Sequence, residues 1–382
     1  MKNDPVEPRL STYLHARAGA SGTPISGTFE LTPRCNLSCR MCYVRMTPAE
    51  QAAVGRELTT REWLDIAEAA RARGMLFLLI TGGEPLIRSD FRELFCKLKA
   101  MGFMISINTN ASLIDDDWLE FFRREPPFRF NISLYGAHNE AYMRLCGAPV
   151  GERVKHNIRA LKEVGIGVKL NLSLTPYNHS ELGEIYALAE ELGVPLQAAT
   201  YMFPPLRRDA DCIGGGDRFT PEEEAECSIE WDRLRFDEET FRARAEAMLR
   251  GCELPDDAEC GSSPDRGMRC RAGRSSFWIN WRGDMTPCGM MNEPSVSLLE
   301  TDFSAAWDSI RAATAAIVTP AECAACRYRN SCHVCAAACV CETGRSDQRP
   351  LHICRAVERT VELAARELEL EKEKKKGTGD LK

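Results

Sequence analysis

The sequence has no long hydrophobic run. Apolar stretches such as Met75–Ile80 fall far short of the roughly 20 residues that a membrane-spanning helix needs. Met1 to Gly22 is largely polar, contains proline and offers no apolar core for a secretory signal. No membrane association is expected, and a cytoplasmic location is the reading that follows. An excess of positive charge is also missing: the net charge of −7 argues against a surface built to neutralise phosphates, so no nucleic-acid partner is expected. There is no solenoid-type repeat. Cysteine, by contrast, is abundant, with 18 in 382 residues. Disulfide frameworks belong to oxidising compartments, so this many thiols without an export signal point to metal binding or catalysis.

The remaining composition is ordinary. With 44% hydrophobic residues, a chain of this length can bury a substantial core and divide into two domains. From about Gly27 to Tyr201, short apolar runs alternate with amphipathic stretches. Strands are predicted at Thr28–Thr32, Leu76–Ile80, Ile105–Thr109, Arg129–Leu134, Val168–Leu174 and Leu196–Tyr201. Between them Thr60–Arg73, Asp90–Ala100, Val154–Val164 and Ser180–Leu192 repeat apolar residues at three- and four-residue intervals, the helical period. Such alternation implies parallel strands with right-handed crossovers. Six units are too few to close a (β/α)8 barrel, so an open, TIM-like partial (β/α)6 barrel of α/β class is expected. After Tyr201 come Phe203–Pro205, Gly214–Gly216 and an acidic helix from about Pro221 to Arg250. A cysteine-dense segment then runs from Cys260 to Cys354, and Ala356–Lys375 reads as a charged helix with a solvated end.

Cys35, Cys39 and Cys42 follow the first strand within eight residues. Three thiolates can hold one metal centre while leaving a position open to a small molecule, as in catalytic zinc sites. Alone, the triad could be a partial zinc site, a redox dithiol or buried small residues. Its place at the carboxyl end of strand one, where (β/α) folds carry their sites, favours catalysis. C-x3-C-x2-C at this point resembles the radical S-adenosylmethionine (SAM) family, with Met41 where that family often has an aromatic. The resemblance implies that Cys35, Cys39 and Cys42 bind a [4Fe–4S] cluster. Its open iron would chelate SAM, and one electron would release methionine and a 5′-deoxyadenosyl radical that takes hydrogen from the substrate.

The same resemblance assigns Gly82, Gly83, Glu84 and Pro85, after strand two, to the methionyl amino group. Asn108, Ser133 and Asn171 lie near strand ends and would border the cofactor, with Ser133 at the ribose. Arg144 is a candidate for the methionyl carboxylate, since a guanidinium matches a planar carboxylate.

Cys270, Gly283, Cys288, Cys323, Cys326, Cys332, Cys335 and Cys354 are spaced much as in a SPASM domain, except that two residues, not three, separate Cys332 from Cys335. That resemblance implies two auxiliary [4Fe–4S] clusters. Cys323, Cys326, Cys332 and Cys354 would bind one, and Cys270, Cys288 and Cys335 the other. The latter's fourth ligand stays open among Cys260, Cys252, Cys339 and Cys341, or none, with Cys260 preferred. Cys96, Cys146, Cys212 and Cys227 read as isolated thiols. The expected domains are an extension (1–26), the barrel (27–203), a linker (204–259), the SPASM domain (260–356) and a charged tail (357–382).

SPASM relatives mostly modify peptides or proteins, by thioether or carbon–carbon crosslinks or side-chain oxidation, so a ribosomal-peptide maturase is expected. A flavodoxin or ferredoxin would supply electrons. The region before strand one is short for a leader-binding domain, so a separate peptide-recognition protein is a further expected partner. Sulfatase-maturating relatives carry an acidic residue after the second SPASM cysteine, where Gly289 stands. A multi-cluster electron carrier without radical activity is the alternative of another class.

Overall fold

The computed structural model describes residues 10–204, 217–253, 266–332 and 335–379, with side chains to residue 370. The six anticipated strands form: β1 (Ser26–Glu30), β2 (Phe77–Thr81), β3 (Met104–Thr109), β4 (Arg129–Ser133), β5 (Val168–Ser173) and β6 (Leu196–Ala199). They lie side by side in sequence order, all parallel. Three strands from the cysteine-dense segment extend the same sheet beyond β1: β7 (Ser276–Ile279), β8 (Asp284–Thr286) and β9 (Val296–Ser297). β7 runs parallel to β1, and β8 and β9 follow antiparallel. Their short length, two to four residues, leaves too little alternation for a sequence pattern to register.

The helices are α1 (Leu10–Ser21), α2 (Pro48–Val54), α3 (Thr60–Ala72), α4 (Phe91–Ala100), α5 (Asp116–Arg124), α6 (Asn139–Cys146), α7 (Gly151–Glu163), α8 (Leu182–Leu192), α9 (Pro221–Arg235), α10 (Glu238–Glu253), α11 (Phe303–Ala315), α12 (Ala336–Thr343) and α13 (Leu351–Gly379). Local chemistry starts several of them. Thr59 and Glu62 form a reciprocal capping box at α3, as do Thr220 and Glu223 at α9. The crossover helices then bury one stripe against the sheet: Trp63, Ile66, Ala67 and Ala70 in α3, and Phe91, Leu94, Phe95 and Leu98 in α4. Between α4, α5 and β4, Phe91, Phe95, Phe122 and Phe130 meet mostly edge to face.

The predicted acidic helix proves to be two. α9 stops at Arg235, and the Asp237 carboxylate accepts from the Thr240 amide at 2.7 Å to begin α10. α9, α10 and α13 enclose a second small core of Ile229, Phe241, Ala245, Ala364 and Leu368. The first half of α13 is thus a packed element, because its apolar stripe has a partner. β7 reaches β1 because Gly27 has no side chain: a Cβ there would lie 2.5 Å from the Phe277 ring and 2.6 Å from Met75 Sδ. Among the described residues, no helix is long and apolar enough to cross a membrane.

Candidate active site

The chain leaves β1 at Glu30 and enters the Cys35–Cys42 loop, which is held from three sides. From β2, Gly83 N donates to Thr32 O at 2.7 Å and Glu84 N to Arg34 O at 2.9 Å. This approach needs bare α-carbons: a Cβ on Gly83 would stand 2.3 Å from Arg34 O, and one on Gly82 2.7 Å from Thr32 O. From α6, the terminal carbonyls of Leu145 and Cys146 accept from Arg40 N and Ser38 N, both at 2.9 Å. A helix end always leaves such carbonyls to be satisfied, and here the loop does so. Behind the loop, Glu57 accepts from Thr32 Oγ1 at 2.6 Å, Arg34 Nε at 2.8 Å and Arg88 Nη1 at 3.2 Å. Arg88 is buried and also donates to Leu31 O, Leu58 O and Asp90. No sequence motif marked Glu57 or Arg88, since their partnership exists only across the fold.

Cys35, Cys39 and Cys42 are half-buried. Leu37 N donates to Cys35 Sγ at 3.4 Å and Arg45 N to Cys42 Sγ at 3.3 Å. Burial pushes the Cys35 thiol up to about 12, with Glu84, Cys42 and Cys39 adding to the rise. Cys39 is raised too, chiefly by a hydrogen bond with Cys146. Cys146 is therefore not the isolated thiol expected from sequence, because α6 ends directly against the loop. Among the described residues, no three or more His, Cys, Asp or Glu gather as they would around one ion. A multi-iron cluster spreads its thiolate ligands over several metals and so spaces them more widely. Three thiols in one loop, with amide donors on the sulfurs of Cys35 and Cys42, suit such a cluster.

The inner face of the half-barrel is polar. Along β3, β4 and β5 the fully buried Ile107, Ile132 and Leu170 face the helix layer. The alternate positions Asn108, Asn131, Ser133 and Asn171 face the other way. Asn131 Nδ2 donates to Asn108 Oδ1 at 2.8 Å, while Asn131 Oδ1 is buried with no partner among the described residues. A buried orphan acceptor is rare, and it fits a face that receives a polar ligand. Ser133 and Asn171 are register neighbours on β4 and β5. Asn110, two residues beyond Asn108, is the asparagine that touches the cysteine loop: Nδ2 lies 3.0 Å from Asn36 Oδ1 and 3.8 Å from Cys35 Sγ.

Glu84 is wholly buried and accepts from Thr109 Oγ1, Asn110 N and Leu86 N at 2.9–3.1 Å. Burial raises its carboxyl to about 7 against those hydrogen bonds. Pro85 is buried and opens the turn that follows. Arg144 Nη2 donates to Tyr177 O at 3.1 Å and pairs with Glu181 at 3.5 Å, bracing the β4–α6 rim. Glu30, fully buried, accepts from Trp278 Nε1 at 3.0 Å. It is a carboxylate beside the site that sequence reasoning did not select.

In the second cysteine region, Cys354 and Cys326 both raise the Cys323 thiol, after burial, and Arg349 donates to Cys354. Cys339 is fully buried and pushed up to about 12 by burial, with Cys323, Cys335, Cys354 and Cys332 adding to the rise. Cys288 follows β8, and Cys335 caps α12. Cys270 is exposed ahead of β7. Cys260 and Cys212 lie outside the described residues. Gly289 packs under an indole: a Cβ there would sit 2.9 Å from the Trp278 ring.

Known proteins resemble this chain in sequence and in fold. The AdoMet-dependent heme synthase of Methanosarcina barkeri is 25% identical over 83% of this chain and 92% of its own length. The PqqA peptide cyclase of Granulibacter bethesdensis is 29% identical over 44% of this chain and 45% of its own. The crystal structure of Streptococcus suis SuiB bound to precursor peptide SuiA superposes with a TM-score of 0.63 at 18% identity, covering 93% of this chain and 84% of that one. The Radical SAM superfamily model matches residues 29–189 of this chain, from β1 into α8.

Proposed function

We propose that this chain is an enzyme that oxidatively modifies a peptide or protein, forming a thioether or carbon–carbon crosslink or oxidising a side chain. When bound, a [4Fe–4S] cluster and SAM supply a 5′-deoxyadenosyl radical for hydrogen abstraction. Cys35, Cys39 and Cys42 would hold that cluster. The observation that carries the reading is their half-exposed loop at the carboxyl end of β1, above a polar inner face with an unpaired Asn131 acceptor.

The chain's own residues then divide the work. Gly82 and Gly83 seat the loop, while Glu84 and Pro85 fix the turn beside it. Asn108, Asn131, Ser133 and Asn171 offer hydrogen bonds to a nucleoside. Arg144 would have to leave Glu181 to take a carboxylate. Among the described residues the sheet ends at β6 on one side and β9 on the other, and that open half-barrel suits an extended substrate. The PqqA peptide cyclase and the peptide-bound SuiB support a peptide. A flavodoxin or ferredoxin would deliver electrons, and a separate protein would present the peptide. Auxiliary clusters on the Cys270–Cys354 segment would accept the substrate's electron.

A second reading, heme-forming chemistry, is favoured by one observation: the heme synthase match spans 92% of that relative, whereas the peptide cyclase match spans 45%. The sulfatase-maturating alternative loses ground because Gly289 lies against Trp278, where an acidic side chain would displace the indole. A mere electron carrier would need no three-thiol loop. The deciding experiment is anaerobic reconstitution with iron and sulfide, then dithionite, SAM and chromatography for 5′-deoxyadenosine, with peptides encoded nearby or porphyrin precursors added. Peptide-dependent turnover with a mass change on the peptide is expected; turnover on a porphyrin alone would select the second reading. Cys39→Ala should abolish cleavage and spare the auxiliary iron, and unchanged cleavage would refute the triad.

A further inference from the structure

Four thiols remain without a place once the auxiliary clusters are assigned as above: Cys252, Cys260, Cys339 and Cys341. The fold separates the three that it describes. Cys252 lies on α10 with its sulfur 4.0 Å from Ser331 Oγ, beside Cys332 and so next to the set that already has four ligands. Cys339 follows Cys335 by one helical turn, its amide bonded to Cys335 O at 3.0 Å, and is fully buried. It shares the helix face of Cys335, so it is the competing thiol that the test below separates from Cys341.

Cys341 faces the other set. Its Sγ lies 3.7 Å from Met290 O, and Met291 N in turn donates to Cys288 O at 3.2 Å, so the turn carrying Cys288 rests against it. Its place is fixed from outside the site. The next residue, Glu342, accepts from Tyr201 Oη at 2.7 Å and from Arg218 Nη1 and Nη2 at 2.6 and 3.2 Å. That network anchors the end of α12 to the chain beyond β6 and holds Cys341 against the turn that carries Cys288.

We propose that Cys341 is the fourth thiolate of the auxiliary cluster held by Cys270, Cys288 and Cys335. The assignment rests on reading the cysteine-rich segment as an auxiliary-cluster domain. A fourth soft thiolate closes the cluster. A cluster with four protein thiolates would serve electron transfer and would leave no iron open to substrate.

The test uses the full chain carrying Cys35→Ala, Cys39→Ala and Cys42→Ala, which leaves only auxiliary iron. Two four-iron clusters would give about eight irons per chain. Adding Cys341→Ala should remove part or all of one cluster: iron falls, and the oxidised protein gains the paramagnetic signal of a three-iron cluster or loses one reduced-cluster signal. Adding Cys339→Ala or Cys260→Ala instead should leave iron and spectrum unchanged. Survival of the other cluster's signal and of the helical circular dichroism shows that the Cys341 variant is folded, and Cys341→Ser provides a shape-conserving second variant. If Cys341→Ala keeps all the iron while Cys260→Ala loses it, the fourth-ligand assignment alone is overturned. If the triple variant binds no iron, the auxiliary-cluster reading falls with it.

Discussion

Gly83→Ala places one methyl group against backbone that cannot swing aside. The new Cβ would lie 2.3 Å from Arg34 O, 2.7 Å from Arg34 C and 2.9 Å from Pro33 O. Overpacking of this kind costs about 1–3 kcal/mol where the surroundings can yield. Relief requires the loop to retreat, which breaks the bonds from Gly83 N to Thr32 O and from Glu84 N to Arg34 O. At about 1 kcal/mol each, those losses bring the total to roughly 3–5 kcal/mol against the docked loop. Since about 1.4 kcal/mol is tenfold, the docked population should drop at least about 100-fold. The variant should therefore lose the iron of the first cluster, retain auxiliary iron, and cleave SAM at least about 100-fold more slowly. Gly183→Ala in α8, where nothing lies within 4 Å of the new Cβ, should instead stabilise by about 0.5–1 kcal/mol. Iron content decides the cause. If Gly83→Ala loads all its clusters and only raises the KM for SAM, the glycine serves the cofactor and not the loop, and the steric argument is wrong.

Three further perturbations test the surroundings. Glu84 has a folded-state carboxyl raised from the ordinary 4.5 to about 7, so the folded protein keeps a proton that the unfolded chain releases. Stability should fall as pH rises from 4.5 to 7, by about 3 kcal/mol, and Glu84→Gln should flatten that slope in urea melts; equal slopes would refute it. Arg88→Met strips Glu57 and Asp90 of a buried cation and should cost about 3–5 kcal/mol, read by urea unfolding, with loss under 1 kcal/mol as the contrary result. Phe122→Ala empties the centre of the aromatic cluster between α4, α5 and β4 and should cost about 3–5 kcal/mol; a Tm unchanged within error would mean that the cluster collapses to fill the space.

The sequence by itself determined the local facts. Strand–helix alternation gave six parallel strands, because each period reports one buried face of one element. Spacing alone brought Cys35, Cys39 and Cys42 into one loop, because nearby residues need no fold to meet. Only tertiary structure decided what depends on distant segments meeting. It joined β7–β9 to β1 through the space at Gly27, and divided the acidic helix by giving α10 and α13 a common core. It placed Cys146 against Cys39, Arg88 and Glu57 behind the loop, and Trp278 on Glu30. It also set Cys341 against the turn that carries Cys288. Those pairings carry no periodic signal, since their partners lie tens to hundreds of residues apart and are selected by packing.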